Sequence, residues 1–519
     1  MPSAGGKKVG TSITRRWKPI MATSNPYGLG VGGGADGLDP LRFAAGGSRF
    51  EAGRSETGGS LNQLARTSLV VGGTVAAVSI LRRALKARTR YPPWEKSPYG
   101  EFPHKVLIVG GGFAGYMAAK TLCDLTEDRD DVGVLVISRE NYFAFWPMVP
   151  GIIGSEVNIG NVAQPLRRPL IEAGASFRRT ELKGVDFERK IVIADGGKEF
   201  PYDHLILALG SQPNFFGVPG VEEHSLALGG LADALRIHNR VIERFEQATL
   251  DSGELPDPRL TFVVIGGGAT GVETAAEIHA LVNEALIPDF PNIDVNKVRI
   301  FVIEAGQDIL GELDPALRRA ASMELAARGI KVITGVRATE VMADRVKLDD
   351  GREIRTENVV WTAGIRPNAK LEDLDLPLTE RDGVVVDRHL RVPDRPGVWA
   401  IGDSAAIPQG DERSAPPTAQ AAVQEGLVAA RNVLAAIDRR EDGLEEFEYR
   451  PLGQLVELGS RFAVNEVMGV RFSGLIAALF WRAVYLSKLE SPQNRARVAA
   501  DWTLGLLFRP APTEIRDLV

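Results

Sequence analysis

The chain has 519 residues, 44% of them hydrophobic and 25% charged, with a formal net charge of −6. These values exclude a collagen-like, disulfide-rich or wholly disordered chain and allow two or three domains with sizeable cores. The average hides an asymmetry, because residues 1–100 hold 15 Lys and Arg against 5 Asp and Glu. A basic arm therefore precedes an acidic body, for which nucleic acid is not an expected partner.

The arm contains 17 glycines and little periodicity through about Asn62, so it reads as disordered. Its first 35 residues carry Lys7, Lys8, Arg15, Arg16 and Lys18 and no acid, which suits an organelle transit peptide and equally a flexible basic tail. One strongly apolar run, 69–81, lies between Arg66 and Arg82. As a helix the interval spans about 22 Å, against roughly 30 Å of bilayer hydrocarbon. It suits a helix packed on the body or a short membrane anchor with Arg82, Arg83, Lys86, Arg88 and Arg90 at the lipid surface.

From Lys105 onward an apolar run, a glycine turn and a long helix appear in succession, at Val106 and again at Thr261. Further strands are expected at 134–137, 190–193, 205–209, 298–303, 329–333 and 359–361, with a strand, turn and helix over 397–435. Cys123, the only cysteine, falls in the helix after the first turn beside Leu122 and Leu125 and reads as a buried, inert thiol. With one cysteine there is neither an intrachain disulfide nor a Cys-x-x-Cys pair to relay electrons. No metal site is expected.

Gly110, Gly112 and Gly115 form Gly-x-Gly-x-x-Gly directly after the first strand. The first glycine allows the tight turn, the second lets backbone approach a pyrophosphate, and the third permits close helix–strand packing. The helix N-terminus then faces the negative charge. The acid normally found at the end of the second strand is replaced by Ser138, followed by Arg139 and Glu140. Glu140 or Ser138 is left to reach the adenosine ribose. Gly266, Gly268 and Gly271 repeat the motif, and here the following strand does end in an acid, Glu304. A carboxylate there suits a 2′,3′-diol and repels a 2′-phosphate, so NADH is favoured over NADPH. A third signal, Gly402-Asp403 after a strand, places an acid against a flavin polyol or caps a helix.

With these motifs in order, 105–435 resembles the pyridine-nucleotide-dependent FAD oxidoreductases and, more narrowly, the type II NADH:quinone oxidoreductases. The segment 141–150, with Pro147, resembles the stretch that family sets beside the flavin ring. Ala208 and Gly210 resemble one cofactor turn on the FAD side, and Gly364 in 361–367 resembles another on the NADH side. Gly271-Val-Glu273 is similar to a motif whose glutamate faces flavin and nicotinamide. The segment 416–426 resembles the quinone-site helix, which carries Gln420 to the isoalloxazine edge and Gln424 to the quinone pocket. In the tail, Gly453-Gln-Leu, Phe472-Ser-Gly, Trp481-Arg and Tyr485-Leu resemble the family's membrane-associating region, and apolar residues there alternate with Arg482, Lys488, Arg495, Arg497 and Arg509.

The fold class this implies is α/β, with two Rossmann-like dinucleotide-binding domains and a C-terminal membrane-associating helical region. The expected boundaries are 1–100 for the arm, 101–258 and 371–446 for two parts of an FAD domain, 259–370 for an NADH domain and 447–519 for the tail. The implied reaction passes hydride from NADH to FAD and then two electrons to a membrane quinone without proton pumping. Glu273 is the candidate for proton handling, its bland alternative being a helix-face acid beside the glycine turn. Gln420 and Gln424, four apart, share a helical face, and the bland reading is a solvated one. The tail also suits a helix pair packed on the body, or a homodimer contact. Two other functions fit the nucleotide motifs: a ferredoxin- or rubredoxin-type reductase, and a non-catalytic FAD/NADH-binding redox sensor. The expected location is peripheral on the cytoplasmic face of a bacterial inner membrane, or on an organelle membrane if the arm is a transit peptide.

Overall fold

The computed structural model describes residues 99–250, 257–410, 413–510 and 512–515. The basic arm, its 69–81 run and the expectations attached to them lie outside the described residues.

The first half of the body runs β1 (His104–Val109), α1 (Phe113–Leu125), β2 (Val132–Ser138), α2 (Pro150–Ile153), β3 (Ser176–Arg179) and β4 (His204–Leu207). Next come β5 (Ser225–Ala227), α3 (Leu231–Leu250), β6 (Thr261–Ile265), α4 (Ala269–Ala280), β7 (Arg299–Glu304), β8 (Lys331–Thr334) and β9 (Asn358–Trp361). They are followed by β10 (Val398–Ala400) and α5 (Ala419–Ile437). The tail holds β11 (Gly453–Glu457), β12 (Ala463–Val467), β13 (Val470–Gly474), α6 (Leu475–Lys488) and α7 (Pro492–Leu507).

Two parallel sheets result, ordered β10-β4-β1-β2-β3 and β5-β9-β6-β7-β8. The central strand of the second sheet is buried throughout and that of the first from Val106 to Val109, as parallel strands covered on both faces must be. β10 arrives after the whole second sheet and completes the edge of the first, which brings α5 onto α1. Gly426 of α5 makes that packing close: a Cβ there would stand 2.6 Å from the carbonyl oxygen of Ala114.

α3 buries Leu231, Ala234, Ile237, His238, Val241, Ile242 and Phe245, a stripe at helical spacing. α4 does not stop where its apolar pattern fades. It continues through a π-helical turn, Leu281–Leu286, into Ile287–Asp289, and this accounts for the long interval before β7.

The tail is not purely helical. An antiparallel sheet of β11, β12 and β13 precedes the two helices. Three five-residue strands joined by turns at Gly459 and Gly469, both at positive φ, are too short to show a period in sequence. α6 buries Ala477, Ala478 and Trp481, while Leu475, Ile476 and Leu479 on the other side are each more than half exposed. Leu504, Leu506 and Leu507 of α7 and the following Phe508 are exposed as well. Among the described residues no helix is long and apolar enough to cross a membrane.

Candidate active site

The two glycine turns are near-copies at atomic detail. Gly110 and Gly266 have φ of +111° and +113°, and their backbone N–H groups donate to Ile137 and Ile303 at 2.9 and 2.8 Å. A Cβ on Gly115 would meet the Gly110 carbonyl oxygen at 2.0 Å, and one on Gly271 the Gly266 carbonyl oxygen at 1.8 Å. Gly112 and Gly268, by contrast, face open space within 4 Å. Each is the N-cap of its helix and offers no capping side chain, so the first-turn N–H groups of α1 and α4 are left for a ligand. Two cradles without Cβ atoms, each in front of unspent donors, fit the pyrophosphates of two dinucleotides.

Glu304 leans over the second turn. Its Oε2 accepts from Gly267 N and its Oε1 from Gly306 N, both at 2.6 Å. These bonds orient the carboxylate and use one lone pair on each oxygen. Strand register puts Ser138 in the matching place on the first sheet. Its hydroxyl lies 3.1 Å from where a Cβ of Gly111 would be. Arg139 and Glu140 pair with each other at 3.3 Å near the surface.

Beside the first glycine turn, Ala208 supplies the carbonyl that Gly110 must clear, and Gly210 turns at φ +70°. Ser211 follows, and its hydroxyl donates to Asp403 at 2.7 Å. Gly402, also at φ +70°, donates its N–H to Glu425 Oε2 at 2.5 Å. Burial raises the Asp403 carboxyl and pushes Glu425 up to about 8. The sequence reading passed over Glu425. The signal was available, since it stands in the stripe of Ala421, Ala422 and Ala429 that packs inward. Gly364, read as part of the NADH side, lies under the Phe216 ring, 2.8 Å from a would-be Cβ.

Gln420 and Gln424 do share a face of α5, and the same segment occupies both amides. Gln420 Oε1 accepts from Leu452 N at 2.6 Å and from the Tyr449 hydroxyl at 3.2 Å, while its Nε2 donates to the Gly453 carbonyl at 3.2 Å. Gln424 exchanges two bonds with the Arg450 backbone, at 2.9 and 3.1 Å. Together they fasten the chain that leads into β11.

Glu273 lies where β11 ends. Its Oε1 accepts the backbone N–H of Glu457 at 3.2 Å. Glu273, Glu277, Glu457 and Glu156 line one small cavity of about 10 Å³, room for a single water, together with Pro147, Met148, Trp481 and Trp502. Arg482 of α6 is the cation among them, paired with Glu156 and, at 3.4 Å, with Glu457. It also stacks 5.1 Å from the Trp502 ring. Sequence had grouped Arg482 with the basic residues that alternate along the tail, and the fold turns it inward instead. The indole N–H groups of Trp481 and Trp502 are buried with no acceptor among the described residues. Four carboxylates around one guanidinium, with the Arg328 charge also acting on Glu277 and Glu457, cannot all ionise cheaply out of water. Burial accordingly pushes Glu273 and Glu277 up to about 8 and Glu457 well above its ordinary value. Glu273 keeps some exposed area, and the loss of water around its carboxyl group is still the largest influence on it. The i, i+4 spacing of Glu273 and Glu277 was legible in sequence, whereas Glu156 and Glu457 arrive from distant segments.

The description of pyridine nucleotide-disulphide oxidoreductases matches residues 104–426, and that of the NDH2 C-terminal domain matches 452–509. A protein of Dictyostelium discoideum named "Probable NADH dehydrogenase" is 30% identical over 412 residues, covering 78% of this chain and 90% of its own length. The chain belongs to the type II NADH:quinone oxidoreductases of the pyridine nucleotide-disulphide oxidoreductase family. Another member, the type II NADH:quinone oxidoreductase Ndh of Mycobacterium tuberculosis, is 28% identical over 424 residues, with coverage of 78% and 88%. The fold is that of NDH2 from Plasmodium falciparum solved with NADH, at a TM-score of 0.72, 20% identity and coverage of 80% and 100%. FAD and NADH are thus the dinucleotides of a type II enzyme. Cys123 is buried, and burial pushes it up to about 12.

Proposed function

We propose that this chain oxidises NADH and reduces a membrane quinone without pumping protons, working while it lies on a bilayer surface. One observation carries the acceptor assignment. The carboxylate cavity has α4, which follows the second glycine turn, on one side and α6 and α7 on the other, and the far faces of α6 and α7 are apolar and exposed. An acceptor that dissolves in lipid reaches such a site from the membrane. What FAD supplies when bound is a two-electron relay between NADH and quinone.

The chain's own residues bind, orient and hold protons. The N-termini of α1 and α4, opened by Gly112 and Gly268, hold the two pyrophosphates. Glu304 accepts from the ribose diol of NADH with the lone pairs its backbone bonds leave free, and it repels a 2′-phosphate. Ser138, Arg139 and Glu140 serve the adenosine end of FAD, while Asp403, steadied by Ser211, takes the polyol. Pro147, Ala208 and Gly210 shape the flavin side, and Gly364 the nicotinamide side. Glu273 holds a proton on its carboxyl group at neutral pH, with Glu277 as a neighbour in the same state. Gln420 and Gln424 bear on the flavin edge and the quinone pocket through the segment their amides hold.

Anaerobic stopped flow on the FAD-loaded protein tests this reading. NADH should bleach the flavin absorbance, and a short-chain quinone should restore it at least as fast as steady-state turnover. Restoration by a ferredoxin alone would overturn the quinone assignment. Glu304→Gln should narrow the preference for NADH over NADPH, and an unchanged preference would remove Glu304 from the ribose.

A further inference from the structure

One cavity of the body lies away from the glycine turns. It lies between α3 and the second sheet, at the end where β5, β6 and β9 begin with Ser225, Thr261 and Asn358, and it measures about 190 Å³. The nucleotide turns leave the opposite, C-terminal ends of those strands. Its floor is apolar, built from Ile237, Val241, Phe262, Ile278 and Val360. An apolar protein cavity of about 150 Å³ takes a benzene ring, so this one admits a single ring or a short chain.

Two arginines of α3 stand in its wall, and they are not equivalent. Arg244 is committed: it pairs with Glu357 at 3.1 Å and bonds Gln247 and the Asn358 side chain at 2.5 and 3.3 Å. Arg240 has one long ion pair, 3.6 Å to Glu243. Burial and the neighbouring Arg244 act against its charge, while Glu243 and Glu357 act in its favour, and the balance still lowers it. A half-buried guanidinium with donors to spare, next to a second cation and over an apolar floor, is complementary to an anion on an apolar body. Glu223, the other acid in the wall, is exposed at the mouth beside Ala343.

We propose that this cavity is a second small-molecule site, distinct from the dinucleotide and quinone sites, which takes a small carboxylate with an aromatic or short aliphatic body and holds its headgroup on Arg240. The strand it touches, β9, leads from Asn358 in the cavity wall to the turn that carries Gly364. An occupant therefore braces the strand beneath the NADH side.

Isothermal titration calorimetry on the FAD-loaded full chain, with benzoate and its neutral isostere benzamide, tests the assignment. Benzoate should bind saturably and roughly tenfold or more tighter than benzamide, the worth of one charge-assisted hydrogen bond. Arg240→Gln should erase that preference. Ala343→Trp, a substitution at the exposed rim, should abolish binding of both probes by closing the mouth. Flavin content and NADH affinity should be unchanged in both variants, which separates a closed site from a damaged fold. Absence of saturable benzoate binding to the unaltered protein, equal affinity for the two probes, or benzoate binding untouched by either substitution would each overturn the proposal.

Discussion

A carboxyl group enclosed by protein prefers its neutral form because burial removes the water that stabilises the charge. Glu273 therefore titrates at about 8 rather than at its ordinary 4.5. Below about 8 it carries a proton to give, and above about 8 that proton is lost. Quinone reduction at saturating NADH should accordingly fall as pH rises through about 8. Glu273→Gln should flatten that limb and slow turnover by about a hundredfold, the usual worth of a positioned general acid; a pH profile of kcat with a water-soluble quinone measures both. Folding is linked to the same groups with the same sign. The stability that goes with neutral Glu273 and Glu277 is complete below their unfolded values and is lost as pH rises through about 8. At the glycine turns, two neighbours separate fold from ligand. Gly110→Ala puts a Cβ 2.0 Å from the Ala208 carbonyl oxygen at a φ of +111°, and should destabilise the protein by about 1–3 kcal/mol or more. Gly112→Ala meets no protein atom within 4 Å, so it should melt like the parent when flavin-free yet bind FAD more weakly. Thermal melts with and without FAD distinguish the two.

Among the elements, α5 does the most joining. It packs on α1 through Gly426, holds Gly402 through Glu425, and grips 449–453 through its two glutamines. Gln420 makes three bonds to that segment and its flank, and Gln424 makes two. At about 0.5–1.5 kcal/mol each, their loss frees the segment without unfolding the helix. Gln420→Ala should raise KM for quinone and leave KM for NADH alone. Hydrogen exchange across 449–453 should speed up in the same variant, a readout that a solvated helix face would not move.

At the scale of the whole molecule, the outer faces of α6 and α7 leave Leu475, Ile476, Leu479, Leu504, Leu506 and Leu507 in water. Burying such a side chain fully is worth roughly 1.5–3 kcal/mol, so the six together favour docking on a bilayer. Leu479→Glu with Leu506→Glu should release the protein from liposomes in a flotation assay. Turnover with a long-chain quinone in those liposomes should fall by about tenfold or more, while turnover with a water-soluble quinone should persist. The inner faces of the same helices bring Trp481 and Trp502 to the carboxylate cavity and Arg482 to Glu156 and Glu457, so one pair of elements is apolar outward and polar inward.

The amino-acid sequence by itself determined the parts whose physics is local. A glycine turn between an apolar strand and a helix needs only contiguous residues to declare itself, and so 110–115, 266–271 and Glu304 were legible. One cysteine excludes a dithiol whatever the fold. The shared face of Gln420 and Gln424 follows from helical spacing alone, though the backbone that fills it does not. Only the tertiary structure could assemble Glu156, Glu273, Glu277, Glu457 and Arg482, because they come from four separate stretches of chain and owe their raised or paired states to enclosure by one another. The same holds for the strand order that sends β10 back to the first sheet, the short strands β11 to β13, and Glu425, whose burial depends on α5 lying against α1. Charge state and enclosure are properties of neighbours in space, and neighbours distant in sequence leave no period to read.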